Sequence, residues 1–330
     1  MIETEGTTVR AGIVGAGGVA RRHAGTLAAM PDVALIGVTD PDTERAADLA
    51  GAVGTTPADD VDDLLARGVD AVWVCVPPFA HGEVEERLAA AGVALFVEKP
   101  LGLDVATAER VHAAVVAAGV PTSVGHHWRS STAVARAREL LEGRAVRLVV
   151  ATWLDKVPPV PWWAHRDSSG GQVVEQAVHV LDLARLLAGE VTAVHAVADA
   201  AAPPPGGDVD SATAGTLRFA GGAVGTLAAT CRLGWKHRAG LEIYADDLAL
   251  SVTEEQLAVR DGDGSWTVEV DPADARTAAD RAFVDLLAGR EPSGPGTVVD
   301  HGEALRTHRL ACALADSVAS GAPVALDGAP

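Results

Sequence analysis

Residues 9–20 read Val-Arg-Ala-Gly-Ile-Val-Gly-Ala-Gly-Gly-Val-Ala, and this segment predicts how the first part of the chain folds. A short apolar run leads into a glycine-rich turn, and a helical pattern then continues to residue 30. Strand, turn and helix in this order direct free backbone N–H groups and the positive end of a helix dipole at the phosphates of a bound dinucleotide. The predicted cofactor contacts in the turn are Gly15, Gly17, Gly18, Val19 and Ala20. The alternative is a purely structural turn in a chain rich in alanine and glycine.

The first 124 residues continue this alternation of strand and helix patterns. Short valine-rich runs predict strands at 9–14, 33–38, 71–76, 93–97 and 121–124, with a weak one near 52–54. Helix patterns at 19–30, 42–50, 61–66, 81–91 and 105–118 lie between them. Unbroken apolar strands are typical of parallel sheets that are covered on both faces. Residues 1–124 are therefore predicted to form a doubly wound α/β domain that binds the dinucleotide.

The sequence changes character after residue 124. A strand pattern at 147–153 precedes a loop rich in proline and tryptophan at 157–171, and one long helix is predicted over 172–187. Alternating residues between 191 and 270, separated by turn signals such as Gly221-Gly222, predict a mostly antiparallel open sheet. Helix patterns at 274–288 and 302–320 follow. Residues 125–330 are therefore predicted to form a second α/β domain for substrate binding and oligomerisation.

Asp40 indicates the choice of cofactor, because it follows the second predicted strand. A carboxylate there can accept hydrogen bonds from both ribose hydroxyls and repel a 2′-phosphate. Pro41 and Asp42 offer no positive charge to that phosphate, so NAD is expected and NADP is less favoured. Either aspartate could instead cap the next helix. Further cofactor contacts are predicted at Pro77, Pro78 and His81, although His81 could simply begin a helix.

Glu98-Lys99-Pro100 follows the strand at 93–97, at the edge of the sheet where ligands bind. Pro100 has no N–H and restricts Lys99 to extended geometry, which makes their peptide bond a candidate for the cis form. Lys99 is one of only three lysines in the chain. We expect it to hold a substrate hydroxyl and polarise it as hydride leaves, and we expect Glu98 and Lys99 to contact the cofactor.

The predicted helix 172–187 carries one polar stripe. Glu175, His179 and Asp182 are spaced at i, i+4 and i+7, which is one face of a helix. The stripe lacks the long lysine and arginine side chains of exposed faces, and Gly170-Gly171 before it permits close approach of backbone to a ligand. An ordinary solvated face is the alternative. We expect His179 to be the general acid or base and Glu175 to orient it.

Taken together, these segments resemble the Gfo/Idh/MocA family, named for glucose–fructose oxidoreductase, inositol dehydrogenase and MocA. The residues that carry the resemblance are 12–20, Pro77 with His81, Glu98-Lys99-Pro100-Leu101, Arg129, and the run from Gly170 through Glu175 and His179 to Asp182. The resemblance covers essentially the whole chain. It implies a Rossmann domain, an α/β domain whose open sheet often makes dimer or tetramer contacts, and NAD(P)-dependent oxidoreduction of a pyranose or polyol with Lys99 and His179 catalytic. The chain departs from the family at Glu175, where Asp is more frequent.

Substrate contacts are less specific in the sequence. Trp162 and Trp163 precede the polar helix, and aromatic faces suit the C–H faces of a sugar ring. Both tryptophans could equally be core residues. The polar candidates for substrate contact are Arg129, Asp155, His165 and Asp182. The expected substrate is a small carbohydrate-like molecule.

Two other function classes stay open at this point. Some relatives keep NAD bound and use transient oxidation to cleave a glycosidic bond. The only tyrosine is Tyr244, so the chain has no added tyrosine–histidine pair to serve that elimination. A non-catalytic sensor protein that binds NAD would be expected to lose Lys99 or His179, and both are present.

The composition limits the classes of binding partner and the cellular compartment that can be expected. A net charge of −19 argues against nucleic acid and anionic membranes, which need clustered lysine and arginine. The three cysteines (Cys75, Cys231 and Cys312) are typical of small core residues in a reducing compartment, and no Cys/His spacing predicts a metal site. No apolar run approaches the roughly 18 residues that span a bilayer. The polar N-terminal residues do not indicate a signal peptide, so a cytoplasmic protein is expected.

The strands between 191 and 270 also bear on assembly. They carry apolar or small residues on both faces, as in Ala223-Val224-Gly225-Thr226-Leu227-Ala228-Ala229-Thr230. A large exposed apolar face is a liability in a monomer. Burial against an identical sheet related by two-fold symmetry would remove it, which predicts a homodimer or homotetramer.

Overall fold

The computed structural model describes residues 8–199, 203–292 and 294–326. The polar N-terminal residues, on which the expectation of no signal peptide depends, lie outside this part of the chain. The chain divides into two compact units. Of the described residues, the first unit comprises those within 8–102, 106–127 and 276–303, and the second comprises those within 103–105, 128–275 and 304–326.

The first unit contains a five-stranded parallel sheet in the order β2-β1-β3-β4-β5. Its strands are β1 (Val9–Val14), β2 (Val33–Thr39), β3 (Ala71–Val74), β4 (Ala94–Val97) and β5 (Thr122–Val124). The helices between them are α1 (Gly18–Ala28), α2 (Thr43–Ala52), α3 (Val61–Ala66), α4 (Glu83–Ala90) and α5 (Val105–Ala118). The strand order reverses between β1 and β3, and ligands of such sheets bind in the crevice at the carboxyl ends of the strands there. The weak strand predicted near 52–54 is wrong, because α2 continues through Ala52.

Both faces of this sheet are covered, and every residue of β3 and β4 is buried. The rings of Trp73, Phe96 and Phe283 pack together in the core with centroids 5.5–5.9 Å apart. Phe283 comes from α10 (Pro272–Leu287). The chain therefore returns to the first unit after residue 275, whereas the sequence interpretation assigned everything after residue 124 to the second domain.

The second unit contains a nine-stranded sheet in the order β13-β12-β11-β10-β6-β9-β8-β7-β14. Its strands are β6 (Val146–Leu154), β7 (Val191–Ala198), β8 (Ala212–Phe219), β9 (Val224–Thr230), β10 (Arg238–Ala245), β11 (Leu248–Thr253), β12 (Gln256–Asp261), β13 (Gly264–Glu269) and β14 (Val324–Ala325). All neighbours are antiparallel except β6 and β9, which run parallel. The helices of this part of the chain are α6 (Thr132–Leu141), α7 (Arg166–Ser169), α8 (Gln172–Glu175), α9 (Val178–Ala188) and α11 (His301–Ser320).

Along β8 and β9 buried and exposed residues alternate strictly. Leu217 and Leu227 point into the core, which α9 shares, while the other face of these strands is exposed. The three cysteines are buried free thiols. Among residues 8–199, 203–292 and 294–326, no helix is both long and apolar enough to cross a membrane. The same residues include no group of three His, Cys, Asp or Glu side chains placed to hold a metal ion.

Candidate active site

The glycine turn lies at the end of β1, at the point where the strand order reverses. Gly15 has a φ of +96°, and a Cβ there would lie 2.3 Å from the carbonyl oxygen of Cys75, so the position requires glycine. Gly17 and Gly18 are exposed, and a Cβ on either would meet nothing within 4 Å. Ala20 is fully buried, which allows α1 to pack closely on the sheet. The turn and the open N-terminus of α1 therefore fit the pyrophosphate of a dinucleotide.

Asp40 lies against this turn. Its Oδ2 accepts the N–H of Ala16 at 2.7 Å, and its Oδ1 accepts the N–H of Asp42 at 2.8 Å. Asp42 also caps α2 by accepting the N–H of Arg45 at 3.1 Å, the alternative role that the sequence allowed. The Arg45 guanidinium lies 3.5 Å from Asp40, a cation that the sequence interpretation missed because it stands farther along α2. The Asp40 carboxylate is at the end of β2, where a cofactor ribose is held in sheets of this kind.

The residues after β3 form a short 3₁₀ turn, Pro78–Ala80. His81 follows and is buried, with its Nδ1 2.5 Å from Oε1 of Glu85. The second oxygen of Glu85 accepts the N–H of Gly82 at 2.7 Å, which caps α4. These contacts favour a structural role for His81 over the predicted cofactor contact. Phe79, which the sequence did not single out, is 52% exposed at this edge.

Glu98 and Lys99 follow β4 at the same edge, and the Lys99–Pro100 peptide bond is cis. The Glu98 carboxylate is buried, and its Oε2 accepts the N–H of Lys99 at 3.1 Å. Its Oε1 lies 2.9 Å from Nε2 of His23. A Cβ on Gly125 would be 2.5 Å from this carboxylate, so the backbone packs directly on it. Glu98 is therefore engaged by groups of the protein, which favours a role in holding Lys99 over the predicted cofactor contact.

His23, on α1, links Glu98 to a second carboxylate. Its Nδ1 lies 2.7 Å from Oδ1 of Asp280 on α10, and this oxygen also accepts the indole N–H of Trp73 at 2.9 Å. A carboxylate faces each ring nitrogen, so as an imidazolium His23 donates to both Asp280 and Glu98. Burial alone would lower the pKa of His23, but the charges and hydrogen bonds of Asp280 and Glu98 raise it to about 10. Burial raises the pKa of Glu98, whereas the contacts with His23, aided by the charge of Lys99, lower it to about 2.

In the second unit His179 lies in the first turn of α9, inside an aromatic cluster. Its ring centroid is 6.1 Å from that of Trp128 and 5.7 Å from that of Trp153, and the two indoles are 6.2 Å apart. The three rings thus form a nearly equilateral triangle with interplanar angles of 12–31°. The Lys236 ammonium lies 5.4 Å from the centroid of Trp153. The sequence missed this cluster, although Trp153 stands in an alternating strand pattern on the buried face.

Glu175 does not continue a single helix with His179, because the predicted helix 172–187 is broken. α8 ends at Glu175, and the N–H of Ala177 donates to the carbonyl of Gln172 at 3.0 Å, five residues back. Such wide turns are frequent at functional sites. Oε2 of Glu175 accepts the indole N–H of Trp163 at 2.6 Å. Glu175 and His179 are therefore not on one continuous helix, and the orienting role of Glu175 stays a prediction.

Trp163 is fully buried, so protein covers its faces, which argues against sugar stacking. Asp182 and Arg129 form a buried bidentate pair with N–O distances of 2.6 and 2.7 Å. Thr307 also donates to Asp182 at 2.8 Å. These contacts favour a structural role for the pair over the predicted substrate contact. Asp155 is buried and accepts the N–H of Lys156 at 2.7 Å. Trp162 and His165 retain exposed surface and are the remaining candidates from that set.

Comparisons with known proteins identify related chains. Residues 9–126 match a family described as oxidoreductase family, NAD-binding Rossmann fold, and residues 134–251 match the GFO/IDH/MocA C-terminal domain. The chain is 33% identical over 322 residues to myo-inositol dehydrogenase Hyg17 of Streptomyces leeuwenhoekii, covering 92% of this chain and 94% of that one. It is 30% identical over 269 residues to inositol 2-dehydrogenase of Rhizobium meliloti (strain 1021), covering 78% and 80%. UDP-N-acetylglucosamine 3-dehydrogenase GnnA from Acidithiobacillus ferrooxidans, a solved structure, is similar with a TM-score of 0.82 and 27% identity, covering 94% and 98%.

Proposed function

The chain belongs to the Gfo/Idh/MocA oxidoreductase family, and on that premise we propose that it oxidises or reduces a secondary hydroxyl or ketone on the ring of a sugar, cyclitol or sugar derivative, with Lys99 and His179 as its catalytic residues. It is an NAD-dependent dehydrogenase that acts on CH–OH groups. The relatives named above act on inositol and on UDP-N-acetylglucosamine. Both molecules carry secondary hydroxyls on a six-membered ring, which supports the proposed substrate class.

One observation carries the proposal. Lys99 stands at the carboxyl end of β4, and a buried carboxylate holds its backbone while its side chain keeps exposed surface. When bound, NAD supplies the acceptor of the hydride. Gly15, Gly17 and Gly18 would hold its pyrophosphate and Asp40 its ribose hydroxyls.

The two catalytic side chains have different tasks in this proposal. The Lys99 ammonium donates a hydrogen bond to the substrate oxygen and stabilises the negative charge that develops there. His179 accepts the hydroxyl proton as general base during oxidation, and returns it to the carbonyl oxygen during reduction.

A screen of sugars and cyclitols with NAD⁺, followed by absorbance of NADH, tests the reaction class. With a substrate found in this way, Lys99→Met should lower kcat by about 10³-fold, because the charged donor to the substrate oxygen is lost. NADH binding, followed by fluorescence, should survive the substitution. Lys156→Met, at an exposed lysine, is the matched control. Unchanged turnover in Lys99→Met would contradict the proposed mechanism.

The proposed role of Asp40 in the choice of cofactor is tested by titrating NADH and NADPH separately. We expect clearly tighter binding of NADH, because the carboxylate repels a 2′-phosphate. Arg45 lies close enough to Asp40 to moderate that repulsion. Asp40→Ala should narrow the preference for NADH. Tighter binding of NADPH by the unaltered chain would contradict the assignment.

We also propose that the protein is a homodimer or homotetramer joined through the exposed face of the nine-stranded sheet. The paired residues on this face are mostly small and uncharged, with one arginine: Ala214 with Ala228, Thr216 with Thr226, and Arg218 with Val224. Val224, the first residue of the interior strand β9, is 56% exposed. Light scattering should show a mass at least twice the 33.6 kDa of one chain, and Val224→Glu should shift it toward one chain. A monomer alone at micromolar concentration would refute this assembly.

A further inference from the structure

A buried row of charged groups in the first unit ends at the backbone of Lys99. Asp280 contacts His23 at 2.7 Å, His23 contacts Glu98 at 2.9 Å, and Glu98 accepts the N–H of Lys99 at 3.1 Å. Asp280 is 1% exposed and His23 is 8% exposed. His23 belongs to α1, the helix that begins at the glycine turn. The row therefore connects the dinucleotide-binding helix to the segment that carries the proposed catalytic lysine.

We propose that His23 is a positioning residue, which fixes the backbone of Lys99 relative to α1 by holding the Glu98 carboxylate, and that Asp280 keeps the imidazole oriented for this task. The inference deepens the proposed function, because it rests on the catalytic role of Lys99. His23 and Asp280 act through Glu98 and do not touch the substrate.

A doubly protonated ring donates a hydrogen bond to each of the two carboxylates. A neutral imidazole would leave one nitrogen without a proton, and either Glu98 or Asp280 would then lose its hydrogen bond from His23. Loss of the charged donor His23 is costly for a buried carboxylate, so Glu98 would rotate or take up a proton, and its hydrogen bond from the N–H of Lys99 would weaken. Gly125 packs directly on Glu98, so the carboxylate cannot move toward that side.

Other charged groups face the same cluster. A small cavity beside His23 is lined by Arg22, His127 and Arg276 as well as by the two carboxylates. Positive charge near Glu98 lowers the pKa of that carboxyl, and the two carboxylates in turn raise the pKa of His23, which keeps it protonated across the neutral range. The nearby Cys75 thiol stays protonated, because burial and the charges of Glu98 and Asp280 raise its pKa.

The lysine content of the chain offers a direct readout without any substrate. There are only three lysines, Lys99, Lys156 and Lys236, so labelling with ¹⁵N-lysine gives three backbone amide signals, and Lys99→Met identifies one of them. The amide proton shift of Lys99 reports its hydrogen bond to Glu98. Asp280→Asn preserves the shape and the acceptor for Trp73 but removes the charge that holds the imidazolium.

We expect the Lys99 amide signal to move upfield in Asp280→Asn and in His23→Gln, as the hydrogen bond to Glu98 weakens. The control is His112→Gln, at a half-buried histidine on α5 that stacks on His301, and it should leave the signal in place. If His23→Gln fails to fold, Asp280→Asn carries the test. An unmoved Lys99 signal in folded Asp280→Asn would overturn the proposal.

Kinetics separate positioning from a merely structural role. In Asp280→Asn we expect kcat to fall about tenfold, while KM and the Kd of NADH change less than about twofold, because a small displacement of Lys99 affects the reacting geometry more than binding. A parallel change in kcat, KM and Kd would indicate a structural role and reject the proposal. A shifted Lys99 signal in a chain that oxidises no sugar or cyclitol would reject the proposed function and leave the positioning network standing.

Discussion

The two proposed catalytic side chains are held by different physical means. Lys99, in the first unit, is fixed through its backbone by a buried carboxylate, which in turn depends on an imidazolium and a second carboxylate. His179, in the second unit, is packed against Trp128 and Trp153. A row of buried charges depends on every member, because removing one partner leaves an uncompensated charge. A cluster of rings loses contacts gradually. The first arrangement should therefore respond to pH and to single isosteric changes, and the second mainly to changes in ring size.

The largest effect should come from removing the imidazole itself. His179→Asn retains a polar side chain of similar reach but cannot accept a proton at neutral pH, so kcat should fall about 10²–10⁴-fold in steady-state assays. NADH binding should be unaffected. His195→Asn, at an exposed position on β7, is the matched control. Equal activity of His179→Asn and His195→Asn would contradict the catalytic role of His179.

A smaller but diagnostic effect is expected on stability. The folded pKa of His23 is about 10 against an ordinary 6.5, so its contribution is complete below about pH 6.5 and is lost as the pH rises toward 10. The free energy of unfolding of the unaltered chain, relative to Asp280→Asn, should therefore decline by up to about 1.4 kcal/mol per pH unit across that range. Urea unfolding measures it.

On the acid side the sign reverses. The folded pKa of Glu98 is about 2 against an ordinary 4.5, so its contribution is present above pH 4.5 and is lost as the pH falls toward 2. Trp153→Leu serves as the control in both the alkaline and the acid range, because the loss of stability that it causes should not vary with pH. If the difference in free energy of unfolding between the unaltered chain and Asp280→Asn did not vary with pH, the buried charges around His23 would not contribute to stability in the expected way.

The smallest effect should come from the aromatic cluster. Trp153→Leu should lower kcat about threefold to tenfold, since an aromatic pair contributes about 0.5–1.5 kcal/mol beyond its buried area. Trp153→Phe should recover most of the loss, because a ring is restored beside His179. Trp235→Leu, at a tryptophan that is 61% exposed, is the control. Equal losses in the Leu and Phe variants of Trp153 would show that a ring packed beside His179 does not support activity.

Sequence patterns predicted the features that depend on neighbouring residues. The glycine turn, the strands of the first sheet and the cap at Asp42 all follow from local chemistry, and the structure contains each of them. The chance of a cis bond before Pro100 also follows from proline geometry. The family resemblance, carried by the same motifs, is confirmed.

Contacts between distant segments could not be predicted in this way. His23 and Asp280 are 257 residues apart, and neither stands in a motif that would point to the other. The pairing of Asp182 with Arg129 likewise cannot be predicted from sequence spacing. Asp182, a polar residue on an apolar helix, therefore suggested a ligand contact. The wide turn at Ala177 depends on one backbone hydrogen bond, which periodicity over a whole helix does not detect.

The return of α10 to the first unit limits how the chain can be divided. Residues 1–127 look like a self-contained module, yet Asp280 and Phe283 supply a counter-charge and a core ring from α10. A chimera that joined residues 1–127 to a foreign substrate-binding portion would leave Trp73 and His23 without those partners. Exchange of domains between such enzymes should therefore succeed only when residues 276–303 are transferred together with the first segment. The first unit is thus encoded by separate segments of the gene.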